Sequence, residues 1–438
     1  MNDQTISSLP TTRREFLKTS SSAAVGGIFA ANLNLSHTAR AANGDTLKVG
    51  LIGCGGRGSG AAGQALKADT NVALTAMGDA FSDQLERSLS TLRKEAGDKV
   101  QVPPEHKFVG LDAFENVLKS GVDLVILATP PGFRPQHLRA AVEAGKHIFC
   151  EKPMATDGPG VRSVIESVEM AKKKKLALVA GFCWRYDLAR RELFKRVHDG
   201  AIGDVRAIYS TYYTGPVKPM PAPSERPAGM PDLQWQMRNW YNFVWLCGDG
   251  LVEQAVHSID KIAWAMRDAH PIKAVAVGGR QIPNHEGTIY DHIQVNYEFE
   301  NGIRAFMGQR QTTGCHNQNA DFIMGSKGAA TIGAIRKRDV DISGETSWTY
   351  EGEKPDMYQV EHDELFASIR AGQPINNGVR MANSTMMAIM GRMAAYTGLE
   401  VTWEQALNSQ ESLVPENLDW NMNLPIAKMA MPGRTKLI

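Results

Sequence analysis

The sequence predicts two domains: an α/β doubly wound parallel sheet, followed by an α+β domain built on an open, mostly antiparallel sheet. Three observations carry this. Between about residues 46 and 182, short apolar runs alternate with helical patterns, the texture of a parallel sheet with crossover helices. A glycine cluster, Gly53-Cys54-Gly55-Gly56-Arg57-Gly58, closes the first of these runs and opens the first helix. After about Gly200, longer strand-like segments take over, with amphipathic helices returning near the C-terminus. A chain of 438 residues is also too long for one compact core.

Residues 1–41 read as an address. Thr12-Arg13-Arg14-Glu15-Phe16-Leu17-Lys18 precedes a modestly apolar stretch, Ala23 to Leu33, and then Ala39-Arg40-Ala41, an A-x-A-like cleavage site. This resembles a twin-arginine signal peptide and implies export, already folded, to the periplasm. The apolar stretch is shorter than the roughly 20 residues that cross a bilayer, so no membrane insertion is expected.

The nucleotide-binding domain is expected over residues 46–182. Leu47 to Gly53 reads as a buried strand and Gly60 to Ala68 as the helix after it. Gly53 suits the tight turn, Gly55 lets the backbone approach a pyrophosphate, and Gly58 lets helix and strand pack closely; Gly56 and Arg57 share the turn. Val72 to Met77 is the second strand, and it leads to Asp79, about twenty residues past the last glycine, where such folds place the acid that accepts from the adenosine ribose. A free ribose points to NAD rather than NADP. Val122 to Thr129 is an apolar run suited to a strand buried on both faces. Pro130-Pro131 and a helix over Gln136 to Ala144, ended by Gly145, follow; His147 to Cys150 and Leu176 to Phe182 add two more strands.

The second domain is expected over 183–410. Val205 to Tyr213, Val275 to Gly278, Asp291 to Glu300, Ile303 to Gln311 and Ala320 to Met324 are strand-like, and Phe299-Glu300-Asn301-Gly302 reads as a hairpin turn. The segment 214–232 holds six prolines and is too long for an ordinary connection, so it is a functional loop or an arm. Glu361 to Ala371 and Arg380 to Thr397 are amphipathic helices, and 411–438 is a tail.

Composition narrows the partners. Lysine plus arginine (48) nearly cancel aspartate plus glutamate (47), which argues against nucleic acid or an anionic membrane surface. The five cysteines lack any zinc-like spacing, and no metal is expected; Cys54, Cys150 and Cys183 fall beside apolar strands and read as small buried hydrophobes.

Glu151-Lys152-Pro153, directly after the fifth strand, resembles the EKP motif of the Gfo/Idh/MocA (glucose-fructose oxidoreductase / inositol dehydrogenase) family. The match extends over Ala128-Thr129-Pro130-Pro131 with His137 and over the run from Ala144 to Pro153. Gly391-Arg392-Met393-Ala394-Ala395-Tyr396-Thr397-Gly398, with Val401-Thr402-Trp403, is similar to exported members of the family. The resemblance spans roughly 46 to 410 and is more specific in the first domain.

It implies a Rossmann domain and an open-sheet domain whose face meets the nicotinamide. NAD is then held by Gly53, Gly55, Gly56, Arg57, Gly58, Asp79, Thr129, Pro130, His137, Glu151, Lys152 and Arg185. By the same resemblance Lys152 lies beside the substrate, and Pro153 occupies a position where the family's proline is often cis. A lysine at the C-terminal end of a strand also faces the crevice where such sheets bind ligands. In Gly248 to Asp260, Glu253 and His257 are four apart and so share a helical face, where a carboxylate can orient an imidazole. The family has Asp-x-x-x-His here with the histidine as general base, and this chain has glutamate in the acid's place.

Catalysis is thus assigned to Lys152, His257 and Glu253. Contacts to substrate are assigned to Lys152, His257, Tyr186, Arg238 and Trp240, with Trp240 or Trp235 suited to stack on a sugar face. The activity implied is NAD-dependent removal of a hydride from a ring hydroxyl, such as the 3-position of a sugar or glycoside, with the cofactor retained. An NAD-dependent glycosidase that oxidises the ring transiently and eliminates the aglycone shares the first step. A sugar-binding protein with a vestigial nucleotide site is the alternative of another class. Copies of the chain are expected to pair through the open sheet.

Overall fold

A computed structural model of the protein describes residues 45–282, 286–333 and 340–438; the signal sequence and cleavage site expected at 1–41 lie outside them. Six parallel strands form the first sheet: β1 (Leu47–Ile52), β2 (Val72–Asp79), β3 (Lys107–Val109), β4 (Leu124–Leu127), β5 (His147–Cys150) and β6 (Leu178–Ala180), in the order β3-β2-β1-β4-β5-β6. The order reverses between β1 and β4, which opens a crevice at the strands' carboxyl ends.

Both faces of this sheet are buried, and so β4 reads LVIL without alternation. Val125 and Leu127 pack with the helices Ala113–Lys119, Arg134–Glu143 and Gly158–Lys173. Leu124 and Ile126 pack on the other side with Gly56–Ala68, Ser82–Ala96 and, from far along the chain, Met357–Arg370. Cys54, Cys150 and Cys183 are buried, as expected of small apolar residues.

The second sheet has nine strands: β7 (Val205–Thr214), β8 (Lys273–Gly279), β9 (His292–Glu298), β10 (Arg304–Gln311), β11 (Gln318–Gly325), β12 (Gly328–Ile332), β13 (Val340–Gly344), β14 (Trp348–Thr349) and β15 (Val401–Thr402). Their order is β14-β13-β12-β11-β7-β10-β9-β8-β15. Among the described residues of this sheet only β7 and β10 pair in parallel; the other neighbours are antiparallel. β9 and β10 form the expected hairpin, and Asn301 and Gly302 take the positive φ values, 61° and 75°, that its turn requires.

One face of this sheet, with Ile208, Val295, Met307 and Ile323, packs under the helices Val256–Ala265 and Gly378–Thr397. The other face is open: Tyr209 and Phe322 stack there at 6.0 Å, and Val277 is 70% exposed.

The proline-rich stretch leaves β7 and returns through the helix Asp232–Arg238 to the first domain, where Leu233, Met237 and Trp245 cluster with Phe133. The residues after 410, which the sequence left as a tail, strap this helix from outside. Gln236 Nε2 donates to the Leu424 carbonyl at 2.7 Å, and the Leu424 amide donates to Asp232 Oδ2 at 3.2 Å. Among the described residues no helix is long and apolar enough to cross a membrane.

Candidate active site

The glycine turn builds the first part of the site. Gly53 has φ +94°, and a Cβ there would lie 2.6 Å from the Ala128 backbone; at Gly58 a Cβ would lie 1.9 Å from the Gly53 carbonyl. Only glycine allows strand and helix to approach this closely. At Gly55 and Gly56, by contrast, a Cβ would meet nothing within 4 Å, because both face open space. The helix begins at Gly56, four residues before the sequence suggested, and no side chain caps its N-terminus. Its first amides are therefore free for an anion.

Asp79 ends β2 with its carboxylate held on both sides: Cys54 N donates to Oδ2 at 2.6 Å and Phe81 N to Oδ1 at 2.9 Å. Burial pushes its titration above the ordinary aspartate range, and the two amides oppose this. Each oxygen keeps a further lone pair for a ribose hydroxyl.

These groups line a cavity of about 680 Å³. Thr129, Pro130 and His137 form its wall beyond β4, and Pro227, Met230, Trp235, Arg238 and Trp240 close it from the second domain. His137 is buried between Phe114 and Phe133, with Nδ1 3.1 Å from Thr129 Oγ1. Burial, with Arg134 adding to it, lowers its pKa to about 3, so it is neutral. Open glycines, uncapped amides and a presented carboxylate together fit the pyrophosphate and ribose of a dinucleotide.

Past the end of β5, Lys152 is buried and precedes a cis peptide bond to Pro153, as the resemblance led one to expect. Its Nζ donates to the Glu253 carbonyl and to Glu253 Oε1, the latter at 3.1 Å. Burial raises Glu253 above the usual carboxylate range, and Lys152 acts against this. Glu151 is buried beside it, paired with Arg57 Nε, so that the ion pair ties the glycine turn to the strand bearing Lys152. Arg57 lines the cavity; Glu151, Lys152, Glu253 and His257 do not, so the expected contact of Lys152 and Glu151 with the dinucleotide cleft is not found.

His257 opens the Val256–Ala265 helix and is driven to its neutral form by burial first and then by Lys152, Lys261, Arg57 and Arg190. No hydrogen bond joins Glu253 to His257 among the described residues, which corrects the expected carboxylate–imidazole pair. The physical reason is a break in the helix. Gly250–Glu253 ends at Gln254 (φ −106°, ψ −55°) before Val256–Ala265 starts, so the four-residue spacing does not set the two side chains on one face. Glu253 turns to Lys152 instead, and His257 Nδ1 is left buried without a partner.

Three other expectations are also corrected. Arg185 does not reach the cavity: it pairs with Asp260 at 2.8 Å and Asp268 at 2.6 Å and lies over the Trp264 ring. Tyr186 is buried away from it, its hydroxyl accepting from Asn377 Nδ2 at 2.9 Å. Arg238 lines the cavity at the Asp79 end, not beside Lys152; it makes a two-pronged pair with Asp83 at 2.8 and 3.1 Å and lies 4.0 Å over the Phe81 ring. Trp240 lines the cavity stacked on Tyr241, and Trp235 Nε1 donates to Glu286 at 2.9 Å. The residue that the sequence passed over is Trp184, whose ring lies 5.3 Å from the His257 ring. Nothing in the local pattern of Cys183-Trp184-Arg185-Tyr186 says which of the four faces the histidine.

Residues 47–182 match a family described as "Oxidoreductase family, NAD-binding Rossmann fold", and 191–331 match the GFO/IDH/MocA C-terminal domain. The chain is 33% identical over 157 residues to inositol 2-dehydrogenase 4 of Saccharopolyspora erythraea, a match covering 36% of this chain and 42% of that protein. It is 25% identical over 329 residues to inositol 2-dehydrogenase of Rhizobium meliloti, covering 74% and 86%. The fold is similar to that of the WlbA dehydrogenase from Bordetella pertussis in complex with NADH and UDP-GlcNAcA, with TM-score 0.64, 17% identity and coverage of 82% and 98%. With both domains matched in order and a dinucleotide cleft between Gly53 and Asp79, the chain belongs to the GFO/IDH/MocA family and is an NAD-binding oxidoreductase.

Proposed function

We propose that the protein oxidises a secondary hydroxyl on the ring of a sugar or glycoside, at the 3-position or its equivalent, with NAD as hydride acceptor. The observation that carries this reading is the convergence of Lys152 and Glu253, 101 residues apart, beside a neutral His257. Gly53 to Gly58 and Asp79 hold the dinucleotide, and NAD supplies the acceptor for the carbinol hydride. Lys152, through its Nζ donors, orients the hydroxyl and stabilises the alkoxide that develops on its oxygen. His257, uncharged and with Nδ1 unpartnered among the described residues, takes the hydroxyl proton as general base. Glu253 keeps Lys152 in place. The names of the relatives, inositol dehydrogenases and a dehydrogenase in complex with a nucleotide sugar, support a polyhydroxylated substrate.

The coenzyme is retained through the catalytic cycle, in keeping with the leader at Thr12 to Lys18 and export to a compartment without a free nucleotide pool. Lys218, Pro227, Met230 and Trp235 of the segment 214–240 cover the cavity, the C-terminal strap backs the Asp232–Arg238 helix from outside, and together they slow release. Copies associate through the open face of the second sheet, which light scattering on the purified chain would test.

Screening pyranosides for enzyme-bound NADH absorbance tests the activity. Lys152→Met and His257→Ala should each lower turnover by about 100-fold while NAD still binds; wild-type turnover in either removes the assignment. Release of a good leaving group without net NADH would assign the elimination reaction in place of net oxidation.

A further inference from the structure

Behind His257 lies a buried polar group that neither the cofactor cleft nor Lys152 uses. His257 and Lys261 are four apart within the continuous helix Val256–Ala265 and so share a face. Trp184, from the turn Cys183–Tyr186 after β6, packs on both: its ring lies 5.3 Å from the imidazole, and Lys261 Nζ lies 3.7 Å from the indole centroid. Lys261 is 2% exposed and is ion-paired with Asp321 of β11, itself 1% exposed. Lys261 bonds Oδ2, and Asp321 Oδ1 has no hydrogen-bond partner among the described residues. A buried ion pair of this kind adds little net stability over an apolar pair, so stability does not account for a charge kept one helical turn from His257.

We propose that Lys261, held by Asp321 against Trp184, is a positioning residue whose positive charge reinforces burial and Lys152 in favouring the neutral, proton-accepting form of His257. The proposal rests on the reading of His257 as the general base. Burial lowers Lys261 to about 8, with Asp321 opposing, so the lysine is still charged where an imidazole titrates. Of the cations that face His257, Lys152 comes from the end of β5, Arg57 from the Gly56–Ala68 helix and Arg190 from Leu188–His198; Lys261 alone is on its own helix. The nearest carboxylates along the chain are also engaged: Asp260, three residues on, by Arg185 and Ser384, and Glu253, four residues back, by Lys152. Asp321 is engaged by Lys261, so the two halves of that pair act on His257 with opposite sign.

The test is the onset of His257 ring protonation, followed by nitrogen-15 NMR from pH 8 down to about pH 5.5, above the acid transition, in the full chain with NAD present; a pKa change of about one unit is read as a tenfold change in the protonated fraction, and the signal is assigned by its loss in His257→Gln. Lys261→Met should raise the His257 pKa by about one unit and Asp321→Asn should lower it, because a nearby charge moves a titration by about that much. A purely structural pair would not move the titration in opposite directions. Each single variant strands a buried charge or dipole, so the double variant Lys261→Met with Asp321→Asn, which removes both charges, is measured as well. It should raise the His257 pKa by less than Lys261→Met alone. Shifts of the same sign in the two single variants, or a wild-type titration in the double variant, overturn the proposal. If His257→Ala keeps full turnover, the base reading fails while the titration result stands; if it loses turnover and the titrations do not shift, only the role of Lys261 fails.

Discussion

Acidification should unfold this protein at or just above the pH at which carboxylates titrate, and three of its buried histidines set the scale. His137 and His362 are lowered to about 3 and His147 to about 4, in each case chiefly by burial. The contacts agree with neutral rings. His147 Nδ1 accepts from the Ala177 amide at 3.0 Å, a bond that protonation would abolish, and His362 lies 4.2 Å from the Phe149 ring with neither nitrogen bonded among the described residues. An unfolded histidine titrates near 6.5, so below that pH the unfolded chain binds more protons, and stability present above 6.5 is lost as pH falls towards the folded values. Each group contributes a slope of about 1.4 kcal/mol per pH unit. At pH 4.5 that is about 2.7 kcal/mol for each histidine and about 8 kcal/mol for the three. Domains are stable by about 5–15 kcal/mol, so the midpoint should be reached between about pH 4 and 5. Urea denaturation followed by tryptophan fluorescence from pH 8 to 4.5 measures the slope directly. His362→Leu should flatten the curve by about one proton's worth. A stability flat between pH 6.5 and 4.5 would refute the reasoning, for it would mean that these rings protonate in the folded state.

Three further outcomes are expected. Gly58→Ala forces a Cβ to within 1.9 Å of the Gly53 carbonyl; overpacking of about 1–3 kcal/mol at the turn should weaken NAD binding about 5- to 150-fold by calorimetry, while Gly55→Ala, which meets no protein atom, interferes only with the bound nucleotide. Arg238→Ala removes the exposed pair with Asp83 and the contact on Phe81, and should speed NAD release about fivefold in a stopped-flow chase, the scale of about 1 kcal/mol. Lys152→Met leaves Glu253 buried without its partner and should lower stability by about 3–5 kcal/mol, and adding Glu253→Gln should restore part of it in a denaturant titration. Additive losses in that pair of variants would show that the two groups do not interact.

Local sequence determined the nucleotide turn. The requirement for glycine at 53 and 58 and for an acid about two strands' length away comes from short-range sterics and from hydrogen bonding at a helix start, and these act within one βαβ unit. β4 and β5 were legible for the same kind of reason, since a strand buried on both faces must be apolar throughout. The lysine after β5 was placed by the strand end that precedes it.

The surroundings of that lysine were settled by tertiary structure. Spacing alone paired Glu253 with His257, but the interruption at Gln254 sends Glu253 to Lys152, and no residue pattern announces that break. Arg185 and Arg238 are both cations near apolar segments, and only packing shows that one is spent on Asp260 and the other latches onto Asp83. The covering of the first sheet by Met357–Arg370, and of the Asp232–Arg238 helix by the C-terminal strap, unites segments far apart in the chain. Such contacts form because each element has an apolar face to bury, and sequence shows that the face exists without showing what will cover it.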